Sequence, residues 1–256
     1  MSSLIIKQIP CLSDNYGYLV HDPQSGQTAS IDTPDAKAIM AAMDDEGWRL
    51  SQIWNTHHHY DHAGGNAELV EKTGCAVYAP KGERDMIPGA DHYIGEGDEV
   101  RLGEHCARVI DTPGHTRGHI CYIFDDEKLA FVGDTLFALG CGRLFEGSPE
   151  QMWDSLSKLK ALPDDLLIHC AHEYTADNAR FAVTVEPQNA QLQSRILQIK
   201  ALRENDQPTV PMRLGLEKAT NPFLRPDSAT IRANLKEERS DDAAVFAHVR
   251  RLKDAF

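Results

Sequence analysis

Along the first two-thirds of the chain, apolar residues fall in short β-rich runs separated by turns, with an occasional helix between them. "YGYLV" and "TASID" read as paired strands about the turn "DPQSG". Thr33 and Pro34 make an N-cap and first-turn pair that predicts a helix running to Gly47. "SQIWNT" reads as a strand that stops where a run of histidines begins, and "NAELVEKTG" as a short helix punctuated by Gly74. Further strands are predicted at "CAVYA", "DEVRL", "CARVID", "HICYIF", "KLAFVGD" and "DDLLIHC". Ser148, Pro149 and Gln151 open "SPEQMWDSLSKLKAL" in the manner of a capping box. Beyond about residue 174 the character changes: "DNARFAVTVEP", "QNAQLQSRILQIKALREN", "SATIRANLK" and "DDAAVFAHVRRLKDAF" all carry helical periodicity. The pattern predicts an α/β domain over residues 1–173 and a helical domain over residues 174–256.

Composition narrows the function classes. Against 26 basic residues stand 39 acidic ones, a net charge of −13. That balance disfavours nucleic acid or an anionic membrane as a partner, and an anionic small substrate would need a local basic patch. The start "MSSLIIKQIPC" lacks the features of a secretory signal, and no stretch approaches the roughly 18 apolar residues of a membrane span. The six cysteines are scattered without CxxC pairs, so a reduced, cytoplasmic protein is expected rather than a disulfide scaffold. A monomer is expected.

The chemistry concentrates at "THHHYDH", residues 56–62. On an extended segment side chains alternate, so His57, His59 and Asp61 would share one side and His58 and Tyr60 the other. A helix would instead set residues two apart about 200° from each other. His62 breaks the alternation and could turn to a neighbouring position. Mixed nitrogen and carboxylate donors suit zinc, iron or manganese. Taken alone, the run also reads as a solvated polar loop. Three later strand ends repeat the arrangement: His115 in "TPGHTRGH", Asp134 in "FVGDT" and His172 in "HCAHEYT". Loops at strand ends are where sites are built. His57, His59 and His115 can hold one metal and Asp61, His62 and His172 a second, with the two oxygens of Asp134 bridging them. Two ions about 3.5–4 Å apart would share a water and lower its pKa towards neutrality, so no serine or cysteine nucleophile is needed. His58 and His119 are left with supporting roles. His21, His92, His105, His169 and His248 have no motif context and read as ordinary core or surface histidines.

The segments "THHHYDHAGGN", "TPGHTRGHICY", "GDTLF", "CGRLFEG" and "CAHEYT" resemble those of glyoxalase II, the hydroxyacylglutathione hydrolase family of the metallo-β-lactamase superfamily. THxHxDH alone marks only the superfamily; "CGRLFEG" and the helical tail narrow it. The resemblance implies an α/β, four-layered αββα sandwich followed by a C-terminal helical domain that completes a glutathione site. It carries over seven metal ligands, His57, His59, Asp61, His62, His115, Asp134 and His172. They would hold two divalent ions per chain, with zinc the first choice and iron or manganese the alternatives. The implied reaction is hydrolysis of the thioester S-D-lactoylglutathione to glutathione and D-lactate by a metal-bridged hydroxide, the second step of methylglyoxal detoxification. Asp61 would also orient the hydroxide and relay its proton, and Asp134 would set both metals.

For substrate binding, "HVRRLKDAF" offers Arg250 and Lys253, three apart on one helical face, where the family places a basic pair for the glycine carboxylate of glutathione. A solvated helix face is the bland alternative. Tyr174 matches a family contact. Where some members have Lys and Tyr, this chain has Arg143 and Phe145: the guanidinium can hold an anion, but the phenyl ring donates no hydroxyl. "IDTPDA" departs from the more usual Asp-Pro-Gly, with Asp32 expected behind the ligands. The rival readings are a mononuclear-iron glutathione persulfide dioxygenase of the same superfamily and a non-catalytic metal-binding protein. The full ligand set and the helical tail argue against both.

Overall fold

The β-rich runs become two sheets in the computed structural model, which describes residues 3–256. The first contains β1 (Ile5–Cys11), β2 (Asn15–Asp22), β3 (Gln27–Ile31), β4 (Leu50–Trp54), β5 (Ala76–Pro80) and β6 (His92–Ile94), side by side in that order. The first three strands are antiparallel neighbours. From β3 onward the pairing is parallel, which requires crossovers. Helix α1 (Ala36–Glu46) supplies the first; the next carries α2 (Tyr60–Ala63) and α3 (Asn66–Thr73). The second sheet holds β7 (Glu99–Leu102), β8 (His105–Asp111), β9 (Ile120–Phe124) and β10 (Leu129–Gly133), all antiparallel.

Alternation along the strands explains the layers. Leu19 and Ile53 face the helices, in one core with Ile39, Met43 and Leu69. Their neighbours Tyr18 and Trp54 face the second sheet, where Tyr18 meets Phe131 and Trp54 meets Tyr122 and Phe124. Helix α1 begins later than its sequence suggests. Asp35, not Thr33, is the N-cap, its carboxylate accepting from the amides of Lys37 and Ala38. The Thr33 hydroxyl is occupied with Asn66 at 2.6 Å. The stop at Gly47 is as expected, in the left-handed conformation.

These elements form one unit, the chain up to Asp111 together with Arg117–Gly133. The other unit is Thr112–Thr116 with everything from Asp134 onward. It contains β11 (Leu136–Phe137), β12 (Gly140–Cys141), α4 (Pro149–Lys160), β13 (Leu167–Cys170), α5 (Thr175–Val185), α6 (Ala190–Arg203), β14 (Met212–Arg213), α7 (Leu214–Thr220), α8 (Ala229–Leu235) and α9 (Asp242–Asp254). Helix α4 opens with the expected capping box between Ser148 and Gln151. In this unit the His115 loop and the segment after Asp134 go with the helices. Two hydrogen bonds explain the loop's allegiance. Ser155 on α4 donates to the Pro113 carbonyl at 2.7 Å, and Thr135 to the Thr112 hydroxyl at 2.9 Å.

The β11–β12 hairpin turns through Leu139, which has φ +57°, a conformation that costs an ordinary L-residue energy. A buried carboxylate holds it there. Glu217 accepts the Leu139 amide at 2.9 Å and the Asn221 side chain at 3.1 Å, and pairs with Arg195. Both partners of that ion pair are buried. Removing one leaves an uncompensated buried charge, so Arg195→Met should destabilise the fold by about 3–5 kcal/mol, read as a lower urea midpoint. A loss within error of zero would mean the pair contributes nothing beyond its packing.

Candidate metal centre

In the first unit the donors stand at the C-terminal end of β4. His57 and His59 are extended, as the alternation requires, and bring Nε2 and Nδ1 to 3.1 Å from each other. Asp61 does not arrive by alternation. His59 caps the short helix α2, and the helical turn carries Asp61 and His62 round, leaving Asp61 Oδ2 3.7 Å from His62 Nε2. His58 points away, to Glu83 at 2.9 Å.

Each imidazole has two nitrogens, and a hydrogen bond to one decides what the other presents. His62 Nδ1 donates to Asp32 Oδ2 at 2.8 Å. Thr56 gives Asp32 its amide and its hydroxyl, each at 2.7 Å. With its proton committed there, the hydroxyl accepts from His57 Nδ1 at 3.0 Å. One carboxylate therefore orients two rings so that both Nε2 atoms face outward as lone pairs. Asp32 lies at φ +57° to do this. Asn15 donates to Asp61 Oδ2 at 3.0 Å and holds that side chain.

In the second unit, Asp134 faces two imidazoles with different oxygens. His115 Nε2 is 3.3 Å from Oδ2, and His172 Nε2 is 3.4 Å from Oδ1. His115 Nδ1 donates to the Arg143 carbonyl at 2.9 Å, so its Nε2 is the lone pair. Gly142 makes this closeness possible: a Cβ there would lie 2.0 Å from the Asp134 carbonyl and 3.1 Å from His115 Nδ1. Two ligands about 2.0–2.1 Å from one zinc ion at a tetrahedral angle are about 3.3–3.4 Å apart. The donor spacings within each unit, 3.1–3.7 Å, bracket that value. The residues fit a divalent metal.

A cavity of about 340 Å³ in the second unit is lined by His115 and Asp134 and also by Arg143, Phe145, Tyr174, Arg250 and Lys253. Tyr174 stacks on His172 with rings 4.7 Å apart, and Phe145 lies edge-on to His115. The two tail cations differ. Arg250 is only 4% exposed, so the solvated-face reading fails for it. Its guanidinium pairs with Asp254 at 2.8 Å, donates to the Cys141 carbonyl at 3.1 Å and lies over the Phe223 ring. Arg250 therefore ties α9 to β12 as well as lining the cavity. Lys253 is half-buried, its ammonium 5.4 Å from the Phe181 ring and 5.2 Å from the Phe256 ring. Burial lowers its pKa below the ordinary 10.5, against the opposing pull of Asp177. Burial also pushes the Cys141 thiol up to about 11, with Arg250 opposing.

Residues 25–172 match the family model for the metallo-beta-lactamase superfamily, and residues 173–256 match that for the hydroxyacylglutathione hydrolase C-terminus. The chain is 57% identical over 256 residues to a hydroxyacylglutathione hydrolase of Maricaulis maris, covering 100% of both. The chain belongs to the hydroxyacylglutathione hydrolase family. Its fold is that of the metallo-β-lactamases: the solved B3 metallo-β-lactamase BLEG-1 superposes with a TM-score of 0.68 at 22% identity, over 86% of this chain and 100% of that one. A second solved relative, TTHA1623 in a di-iron-bound form, gives a TM-score of 0.60 at 25% identity, over 86% of this chain and 100% of that one.

Within this family site, sequence reasoning overlooked Asn15 and the Arg143 carbonyl. Neither stands in a motif with the ligand it orients, and only the fold brings Asn15 across 46 positions to Asp61. His119 lies against His57, rings 4.8 Å apart.

The two histidine-facing oxygens of Asp134 give a direct contrast with His58. Asp134→Ala should lower the metal content of purified protein and cut turnover by orders of magnitude. His58→Ala should keep metal near the parent level, although it strips a buried carboxylate of one partner. Elemental analysis of both variants checks this; equal metal loss would show the donors are wrongly assigned.

Proposed function

We propose that this chain hydrolyses the thioester S-D-lactoylglutathione, and other 2-hydroxyacylglutathiones, to glutathione and the free acid. The observation that carries the reading is Asp134, whose two oxygens each face a different imidazole nitrogen in a cavity that also holds Arg143, Arg250 and Lys253. A carboxylate that faces two imidazoles next to a cationic pocket, and that would serve both ions, suits a metal hydrolase for an anionic substrate. We assign His57, His59 and His115 to one ion, Asp61, His62 and His172 to a second, and Asp134 to both. Zinc is the first choice, and the di-iron-bound relative makes iron the next. Membership of the family and the donor geometry in each unit support this assignment. Two such ions, when bound, supply Lewis acidity that polarises the carbonyl and acidifies water.

The chain's own groups do the rest. Asn15 fixes one oxygen of Asp61, and we assign the carboxylate to orient an attacking water and take up its proton. The leaving thiolate is the base of an acid of pKa about 8.5, so it departs without a dedicated general acid. Cys141 is no rival nucleophile, because at about 11 its thiol stays protonated at neutral pH. Lys253 is assigned to the glycine carboxylate of glutathione, with Arg143 as a second cation. Tyr174 and Phe145 offer ring faces at the cavity wall, and Phe145 provides no hydroxyl. From the scattered, unpaired spacing of the cysteines in the sequence we place the protein in a reducing cytoplasm, as a monomer.

A panel of acylglutathiones, run beside a small lactoyl thioester lacking glutathione, tests the reading. The glutathione esters should be hydrolysed far faster; equal rates on both would remove glutathione from the account. Lys253→Ala should raise KM about tenfold or more with kcat changed much less, as loss of a charge-assisted contact does. Because burial lowers the Lys253 pKa, the ammonium loses its proton at a lower pH than a free lysine would. KM of the parent should therefore begin to rise with pH below 10.5, and Lys253→Ala should lack that rise. Arg250→Ala should lower the unfolding midpoint as well as raise KM, since it ties α9 to β12 and lines the cavity.

A further inference from the structure

Three turns of the first unit meet at one end of its sheets. The β2–β3 turn brings Asp22, the β7–β8 turn brings His105 and the β9–β10 turn brings Asp126 and Glu127. The approach is close: a Cβ on Gly103 would lie 1.9 Å from Asp22 Oδ2. His105 is 1% exposed. Its Nδ1 has Glu127 Oε1 at 3.2 Å and Asp126 Oδ2 at 3.8 Å. Neither distance becomes a hydrogen bond, and Nδ1 is a buried polar atom without a hydrogen-bond partner among the described residues.

We propose that His105, Asp126 and Glu127 form a further divalent-cation site, separate from the seven candidate ligands. Its ligand class is that of zinc or a similar ion that takes mixed nitrogen and oxygen donors. The three ligand atoms lie within 4.8 Å of one another. Glu127 Oε1 is near enough for a hydrogen bond yet makes none, so it lies off the ring N–H direction. Donors sharing a metal are offset from each other's lone-pair axes in this way, whereas a hydrogen bond demands alignment. The separations of 3.2 and 3.8 Å also bracket the spacing of about 3.3–3.4 Å expected of zinc ligands.

The other ring nitrogen meets a third carboxylate. Nε2 faces Asp22 Oδ1 at 4.0 Å, a carboxylate as buried as the ring itself. At that distance the carboxylate makes no hydrogen bond to the ring and serves as a further anionic group beside it. Asp22 is itself held by the amides of Gln24 and Ser25 at 2.9 and 3.2 Å. Asp126 is half-exposed, so an entry path and room for water ligands exist on that side. A bound ion would clamp the β9–β10 turn to the start of β8 and offset two of the three negative charges clustered there, in a chain of net charge −13.

The test compares parent protein with Asp126→Asn/Glu127→Gln and with His105→Gln, each dialysed against the same micromolar free zinc. Elemental analysis should find one zinc per chain more in the parent than in either variant, with thioester hydrolysis unchanged in the double variant. Zinc should also raise the parent's unfolding midpoint more than the variant's, since a ligand that binds only the folded state stabilises it. The double variant alters two side chains at a surface turn, so the comparison stands even if His105→Gln does not fold. Equal zinc in parent and double variant overturns the proposal. Because the readout is a difference between variants, it does not depend on how many ions the catalytic centre holds.

Discussion

The Asp32 carboxylate governs the first half of the metal centre. It takes the Thr56 amide where β4 ends, the Thr56 hydroxyl and, beyond the histidine run, His62 Nδ1. Entry and exit of the run are fixed by one group, and the two rings bonded to it directly or through Thr56 present Nε2. Asp32 does this in a left-handed conformation that costs of order 1–3 kcal/mol, which three charge-assisted or buried hydrogen bonds offset. Without it, His57 and His62 would be free to swap tautomers and turn the wrong nitrogen outward.

The second unit solves a related problem with Glu217. The hairpin that precedes Arg143 and Phe145 turns at strained Leu139, whose amide ends on that buried carboxylate. Asn221 adds its side-chain amide to the carbonyls of Phe137 and Gly140. Arg250 then holds the next carbonyl, that of Cys141. The cavity wall is thus anchored residue by residue on buried polar partners. This arrangement keeps a site rigid but makes each anchor sensitive to substitution.

The parts of this legible in the sequence were those carried by local pattern. Strand alternation and the capping box at Ser148 hold in the structure because they depend on near neighbours. His57, His59 and His58 also went the expected ways, since an extended backbone leaves them no choice. Asp61 reaches its place differently, because His59 caps a helical turn that alternation does not foresee. The N-cap moved from Thr33 to Asp35 for a tertiary reason: Thr33 bonds to Asn66, far along the chain. Arg250 reads in the sequence as half of a basic pair with Lys253, but its burial against Cys141 and Asp254 comes from β12 and the helix end, which that spacing does not record. His105 showed no motif because its companions come from two other turns, and no local spacing records that meeting.

The central claim is that two divalent ions, held by the seven donors, make the chain a thioester hydrolase. Adding metal stepwise to chelated, metal-free protein while recording turnover of S-D-lactoylglutathione tests it most directly. Turnover should climb until two equivalents per chain are bound and then level off. Full turnover at one equivalent would contradict the account.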